Sequence, residues 1–458
     1  MADNAAKLAQ QARDFLSATP ELKFVDAFVA DLNGVLRGKR LPAKAAMKIF
    51  ESGLRLPRSL VGVDIWGTDV LNNGLVVDTG DSDGVCVALE PGLVRAPWHE
   101  QPTAQTQLMM CEADGSPFLA DPRQLLAELT RRLAARDLHP VTAIEVEFYL
   151  LSGESDDCGR PLTPRSKFSG RRVVDGRVYS MGEIDAYSEF FTALYAACEM
   201  QGLPLDTAVI EAGPSQFEVN LKHQPDILRA ADQAMQLKRA IKGVAAQHGL
   251  LASFMAKPFG DLPGNGMHIH MSMLNGEGAN AFDGDGDNGN ALFKSVIAGL
   301  IEAAPESMVL FAPHLNSWRR FQESSHAPTR ASWGYENRTA AIRVPTDTGA
   351  NRRFEHRIAG ADANPYLALA AIAAGALHGI ERSLAAPAPL EGNAYKTDAP
   401  KLSLGWAAAA ERFADGSIVA PAFGELASRV FTALKRQEIG VSEKHVSNFE
   451  YDTYLDVF

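Results

Sequence analysis

The chain has 458 residues, 46% hydrophobic and 22% charged, with a formal net charge of −12. That length suits two or three domains with ample core material, and the acidic balance argues against a nucleic-acid or anionic-membrane partner. Cys86, Cys111, Cys158 and Cys198 lack zinc or disulfide-framework spacing, and the leading residues carry no apolar signal segment, so a cytoplasmic enzyme is expected.

Residues 7–17 predict a short amphipathic helix within a leading segment 1–18. Short β-prone runs separated by turns follow. FVDAFVADLNGVLRGK reads as strand, Asn-Gly turn, strand, and GLVVDTGDSDGVCVALE and TAQTQLMMCEADGSP read the same way. These runs predict a small strand-rich domain over 19–115. Helix starts are then marked by Asp121-Pro122, Asp226 and Asn364-Pro365. Strand candidates alternate with these helices, predicting an α+β catalytic domain over 116–458. The Ala-rich stretch Tyr366–Ile380 is too short to span a bilayer. FDGDGDNGN resembles a calcium loop, but Lys294 stands where the twelfth-position Glu belongs, so a surface turn is expected.

The chemistry gathers on short strands with alternating faces. TAIEVEFYL sets Glu145 and Glu147 on one face, and SQFEVN sets Gln216, Glu218 and Asn220 together, with Glu211 just upstream. GNGMHIHMSM pairs His268 with His270, and NRRFEHRIAG aligns Arg353, Glu355 and Arg357. A lone E-x-E is more often the solvated side of an edge strand. Four such strands, each with a wholly apolar opposite face, predict a sheet with a core face and a cavity face. Converging glutamates need cations, and carboxylates with a single imidazole suit Mg²⁺ or Mn²⁺ better than zinc. Arginines 319, 320, 338, 343, 353 and 357 suit phosphates and a substrate carboxylate. No P-loop is present, so a nucleotide would be held by metals and arginines.

Seven segments in order, DLNGVLRGKRLP, AIEVEFYL, EAGPSQFEVN, FMAKPFGDLPGNGMHIHMS, NSWRR, SWGYENRTAAIRVP and RFEHRIAGADANPYLA, resemble the glutamine synthetases over nearly the whole chain. The resemblance implies an α+β fold: an N-terminal β-grasp domain, then a catalytic domain with an open, partly barrel-like antiparallel sheet flanked by helices. It implies a homo-oligomer of two stacked rings, a dodecamer, with active sites between subunits. It implies ATP as co-substrate and two or more Mg²⁺ or Mn²⁺ ions. One ion would lie on Glu147, Glu211 and Glu218, the other on Glu145, His268 and Glu355. His270, Ser272 and Arg353 would contact the nucleotide, Arg338 and Arg343 its phosphates, and Arg320, Arg357 and Gly264 the glutamate.

Two positions depart from the ammonia-using enzymes. The family's small polar turn becomes VGVDIWGTD, keeping Asp64 but placing Trp66 beside it, and the flap glutamate before Ala-Pro becomes His326. Fewer carboxylates weaken an ammonium site, while Trp66 offers a surface for an alkyl chain and His326 a base of suitable pKa. The chain thus resembles the γ-glutamylpolyamine synthetase branch, joining glutamate to a polyamine or other primary amine through γ-glutamyl phosphate. Asp64, His326 and Arg338 are the expected catalytic residues. Two alternatives are a glutamine synthetase with a drifted flap and a homologue that has lost catalysis. Tyr395, in NAYKTDAP, is expected to be an ordinary loop tyrosine.

Overall fold

The computed structural model describes residues 2–284, 289–402 and 404–458. The leading helix runs over Ala2–Ala18, longer than the apolar spacing predicts. Six strands then build an N-terminal mixed sheet that nearly closes into a barrel: β1 (Phe24–Ala30), β2 (Leu36–Pro42), β3 (Leu54–Pro57), β4 (Asp83–Ala88), β5 (Val94–Arg95) and β6 (Thr103–Cys111). Their order is β2-β1-β6-β4-β3, with β5 also on β6, and β1 runs parallel to β6. The hairpin expected around Asn33-Gly34 forms, with Asp31 accepting from the Asn33 and Val35 amides.

Two expected strands do not form. Residues 74–78 are a chain of turns in which Val77 is exposed and Leu75 N donates to the Asn73 side chain. Apolar β-branched residues there meet no neighbouring strand, so their propensity is not realised. After β6 the chain makes only an isolated bridge, Cys111 to Pro117, before the next helix begins.

That helix, Pro122–Ala134, starts where the sequence predicts: Asp121 accepts from the amides of Arg123 and Gln124, two of the four donors a helix start leaves open. Asp226 and Asn364 cap Ile227–Gln247 and Pro365–Arg382 in the same way. Residues 365–377 of the last helix are all buried, as an apolar circumference requires. It crosses Ala291–Phe311 closely, since a Cβ on Gly379 would lie 1.9 Å from the Ser295 carbonyl oxygen. The calcium-like loop falls partly on residues 285–288, outside the described residues. Among the described residues no helix is long and apolar enough to cross a membrane.

A second, eight-stranded sheet carries the site: β7 (His139–Ser152), β8 (Leu205–Ile210), β9 (Gln216–Leu221), β10 (Leu250–Ser253), β11 (Met267–Leu274), β12 (Trp333–Tyr335), β13 (Ile342–Val344) and β14 (Phe354–His356). The order is β12-β13-β14-β11-β7-β9-β8, with β10 on the far end of β7. It is antiparallel, as expected, save that the short edge strand β12 runs parallel to β13. Helices 122–134 and 227–247 cover its apolar face. A buried polar chain ties the first sheet to the helices beside the second: Gln107 of β6 donates to the Tyr366 hydroxyl, Tyr366 donates to Asp232, and Arg123 forks onto the same carboxylate.

Candidate active site

Register explains the cluster. Along β7, Ile144, Val146 and Phe148 are fully buried while Glu145 and Glu147 point to the other face. Antiparallel pairing sets Glu145 opposite His268 and Asn220, and Glu147 opposite Glu218. His270 lies opposite Glu355, and Glu355 opposite Arg343. Each contact therefore follows from a period of two and one strand order.

The polar face opens into a cavity of about 790 Å³. All six expected metal ligands, Glu145, Glu147, Glu211, Glu218, His268 and Glu355, line it, together with Gly264, Arg320, His326, Arg338, Arg343 and Arg357. A second cavity, about 740 Å³, takes Glu145 and Asn220 as shared wall and adds His270, Ser272 and Arg353. A larger cavity of about 1150 Å³ beneath residues 164–177 contains none of the expected site residues.

Two groups bring donor atoms within 4.8 Å of one another: Glu145, His268 and Glu355, and Glu147, Glu218 and His268. His268 stands between both, and Glu211 lines the cavity outside either group, which differs from the grouping expected by resemblance. Burial and then the Glu145 and Glu147 charges push Glu218 up to about 9, and burial with Glu147 pushes Glu211 up to about 7. Burial would raise Glu145 too, but hydrogen bonds from His268 and His270 outweigh it and hold its pKa below the usual range. Such crowding of carboxylates fits one or more divalent cations, with oxygen and imidazole donors of the right hardness.

The arginines are held from behind. Arg343 donates to Glu355 and Glu336, each at 2.7 Å, and Arg357 donates to the other Glu355 oxygen. Arg320 is buried, with Nη1 and Nη2 on the carbonyls of Ile358 and Arg357. The Nε donors of Arg343 and Arg357 are buried without a partner. Arg338 lies on an exposed loop at the rim, and Arg319 is exposed outside the cavity. In the second cavity Arg353 Nε approaches His270 Nδ1 at 3.4 Å, and His270 Nε2 meets Glu145 at 3.0 Å.

The flap 321–327 closes one side. Ser324 and His326 both have positive φ, +62° and +60°, unusual for residues other than glycine, and His326 is exposed to the cavity. Asp261, Glu323 and the exposed Tyr179 also line this cavity, and sequence reasoning missed them because they sit on loops without periodicity. It missed Gly266 as well, although GNG immediately before a histidine strand is a signal for close backbone approach. A Cβ there would stand 3.0 Å from both Arg320 Nη2 and His268 Nε2.

Asp64 and Trp66 are not brought to this cavity within one chain. Asp64 is buried; its Oδ1 accepts from the Trp66 and Thr68 amides and its Oδ2 from Gln437. Ile65 N donates to Glu438, which forms a fully buried set with Lys435 and Asn33. Asp64 thus builds a loop whose tip, Ile65-Trp66, is exposed, Trp66 by 58%.

The sequence profile of the glutamine synthetase catalytic domain matches residues 119–454. The chain is 37% identical to the gamma-glutamylputrescine synthetase PuuA of Escherichia coli K12, over 97% of this chain and 94% of that protein. It is 32% identical to the gamma-glutamylethanolamide synthetase GlnA4 of Streptomyces coelicolor, over 98% and 96%. Its fold matches a solved GmaS/ADP complex with a TM-score of 0.83 at 27% identity, covering 98% and 99% of the two chains. The chain belongs to the glutamine synthetase family. Within it, the chain resembles the γ-glutamyl-amine ligases and is an ATP-dependent glutamate–amine ligase forming a γ-glutamyl amide bond.

Proposed function

We propose that the amine is a polyamine such as putrescine, and that the two cavities divide the substrates. The observation that carries this reading is the outer end of the 790 Å³ cavity, where His326 stands in the family's carboxylate position while Asp261, Glu323 and Tyr179 form an acidic, aromatic margin. A diamine presents one nucleophilic nitrogen and one distal cation; the imidazole suits the first, the carboxylates and ring the second.

In this reading His270, Ser272 and Arg353 hold the nucleotide in the 740 Å³ cavity. Its phosphates reach past Glu145 toward Arg338 and Arg343, and glutamate lies by Gly264 with its carboxylate on Arg357, which Arg320 supports. Glu145, Glu147, Glu211, Glu218, His268 and Glu355 would hold two or more Mg²⁺ or Mn²⁺ ions, which would neutralise the phosphates while bound. The glutamate γ-carboxylate oxygen attacks the terminal phosphorus and ADP leaves, giving γ-glutamyl phosphate. The flap excludes water from this reactive acyl group. His326 removes a proton from the alkylammonium; the neutral nitrogen then attacks the acyl carbon, the C–O bond to phosphate breaks, and the departing phosphate takes up the second N–H proton.

The reading extends to assembly: a double-ringed dodecamer in the cytoplasm, in which a neighbour's exposed Trp66 loop completes each cavity. Asp64 then acts mainly by holding that loop. Phosphate release should be measured with glutamate and ATP across ammonium, ethylamine, putrescine, cadaverine and spermidine. Putrescine or a longer polyamine should lead; a lead for ammonium would return the chain to glutamine synthesis.

A further inference from the structure

Tyr395, expected to be an ordinary loop tyrosine, is buried. It is 6% exposed, in a short helical turn Ala394–Lys396, and its Oη is buried without a hydrogen bond of proper geometry. The polar groups that act on it most directly are the His326 main chain and the Ser325 hydroxyl, followed by Arg357 and Arg320. It does not line the cavity itself but stands behind the flap and the arginine wall.

Its own segment is firmly held. Asn337 donates to the carbonyls of Leu390 and Gly392, and Ala394 N donates to the Thr339 hydroxyl, tying the turn to the loop that carries Arg338. The flap is held differently. Ser325 Oγ donates to the carbonyls of Gln322 and Arg320, both at or before the start of the flap itself, and the two positive-φ residues flank it. A fixed hydroxyl with no well-formed bond therefore faces a strained segment whose hydroxyl and main chain approach it loosely. Buried polar groups are rarely left so in a native protein, and a small flap shift would satisfy this one.

We infer that Tyr395 is a positioning residue for the amine step, its hydroxyl being the post on which the flap settles when His326 turns over the cavity. The inference rests on the reading of His326 as amine-facing. It accounts for three things at once: the buried hydroxyl without a well-formed bond, the left-handed backbone at Ser324 and His326, and the bracing of the 390–396 segment.

Tyr395→Phe removes the hydroxyl and keeps the ring. Because that hydroxyl makes no well-formed bond in this conformation, Tm should change little. The amine KM should rise roughly tenfold, the worth of one hydrogen bond, with glutamate and ATP KM changed less than about twofold. Ser325→Ala should give the same split, and the double variant should be no worse than either single one. An unchanged amine KM overturns the inference. So does a parallel rise of amine and glutamate KM with a fall in Tm, which would make Tyr395 a packing residue, and so does strict additivity with Ser325→Ala. If wild type uses ammonium rather than any larger amine, the proposed substrate fails instead, and the same KM comparison is made with ammonium.

Discussion

Gly266 and Glu147 bond each other twice: the Gly266 amide donates to Glu147 Oε2 at 2.7 Å, and the Glu147 amide donates to the Gly266 carbonyl at 3.0 Å. The carboxylate is thus oriented by the backbone immediately before the strand that delivers His268. A methyl group at 266 would press on Arg320 and His268 together. Gly266→Ala is expected to lower kcat at least about tenfold while Tm moves only a few degrees, since the fault lies in alignment rather than in the core. Steady-state kinetics beside a melting curve checks this; wild-type kcat would show that the cradle tolerates a side chain.

The carboxylate cluster predicts a stability signature independent of turnover. In chelator near pH 7, Glu218→Gln should raise Tm, because the crowded, buried Glu218 must take up a proton to fold and the amide need not. Added Mn²⁺ should raise the wild-type Tm and raise the variant's less. Equal metal-induced shifts in the two proteins would remove Glu218 from the cation site.

The two arginines proposed for glutamate should separate. Arg357 carries the open donor, so Arg357→Lys is expected to raise glutamate KM strongly, a bidentate fork being lost. Arg320 is buried on two carbonyls, so Arg320→Lys should lower Tm as well. Similar glutamate KM for wild type and Arg357→Lys would misplace the substrate carboxylate.

Amine choice is the boldest expectation. A long diamine should exceed ammonium in kcat/KM by at least about tenfold, roughly 1.4 kcal/mol of differential transition-state binding. His326→Glu should move the preference toward ammonium, and Trp66→Ser should weaken polyamines more than ethylamine. Two variants with unaltered amine ratios would detach both residues from selectivity.

Lys238 supplies a pH test. Burial, reinforced by Lys242 and opposed by Asp362, lowers its pKa to about 7, well under the unfolded value near 10.4. The unfolded chain then binds more protons between those values, so stability due to this group rises with pH across that window. Lys238→Met should therefore raise Tm near pH 7 and gain progressively less toward pH 10. A gain independent of pH would mean the ammonium is well solvated.

Much of this site was legible because β7, β9 and β11 obey a period of two strictly, so apolar Ile144, Val219 and Ile269 fix which face Glu145, Glu218 and His268 occupy. The caps at Asp121, Asp226 and Asn364 were legible for a similar local reason. Regions governed by non-local pairing were not. Residues 74–78 read as a strand but find no partner, and Tyr395 read as a loop residue because its burial comes from segments about 60 residues away. Glu323 and Asp261 carry no pattern at all; only the folding of two loops onto one rim makes them neighbours.

The wall shared by the two cavities has a pharmacological side. They meet along Glu145 and Asn220, so a compound filling one chamber leaves the other open to its natural occupant. Two small inhibitors, one per chamber, would act together rather than displace each other. Joining them covalently would gain from effective concentration only if the tether passes beside the Glu145 side chain, which makes that one residue the gauge for any two-headed inhibitor of this enzyme.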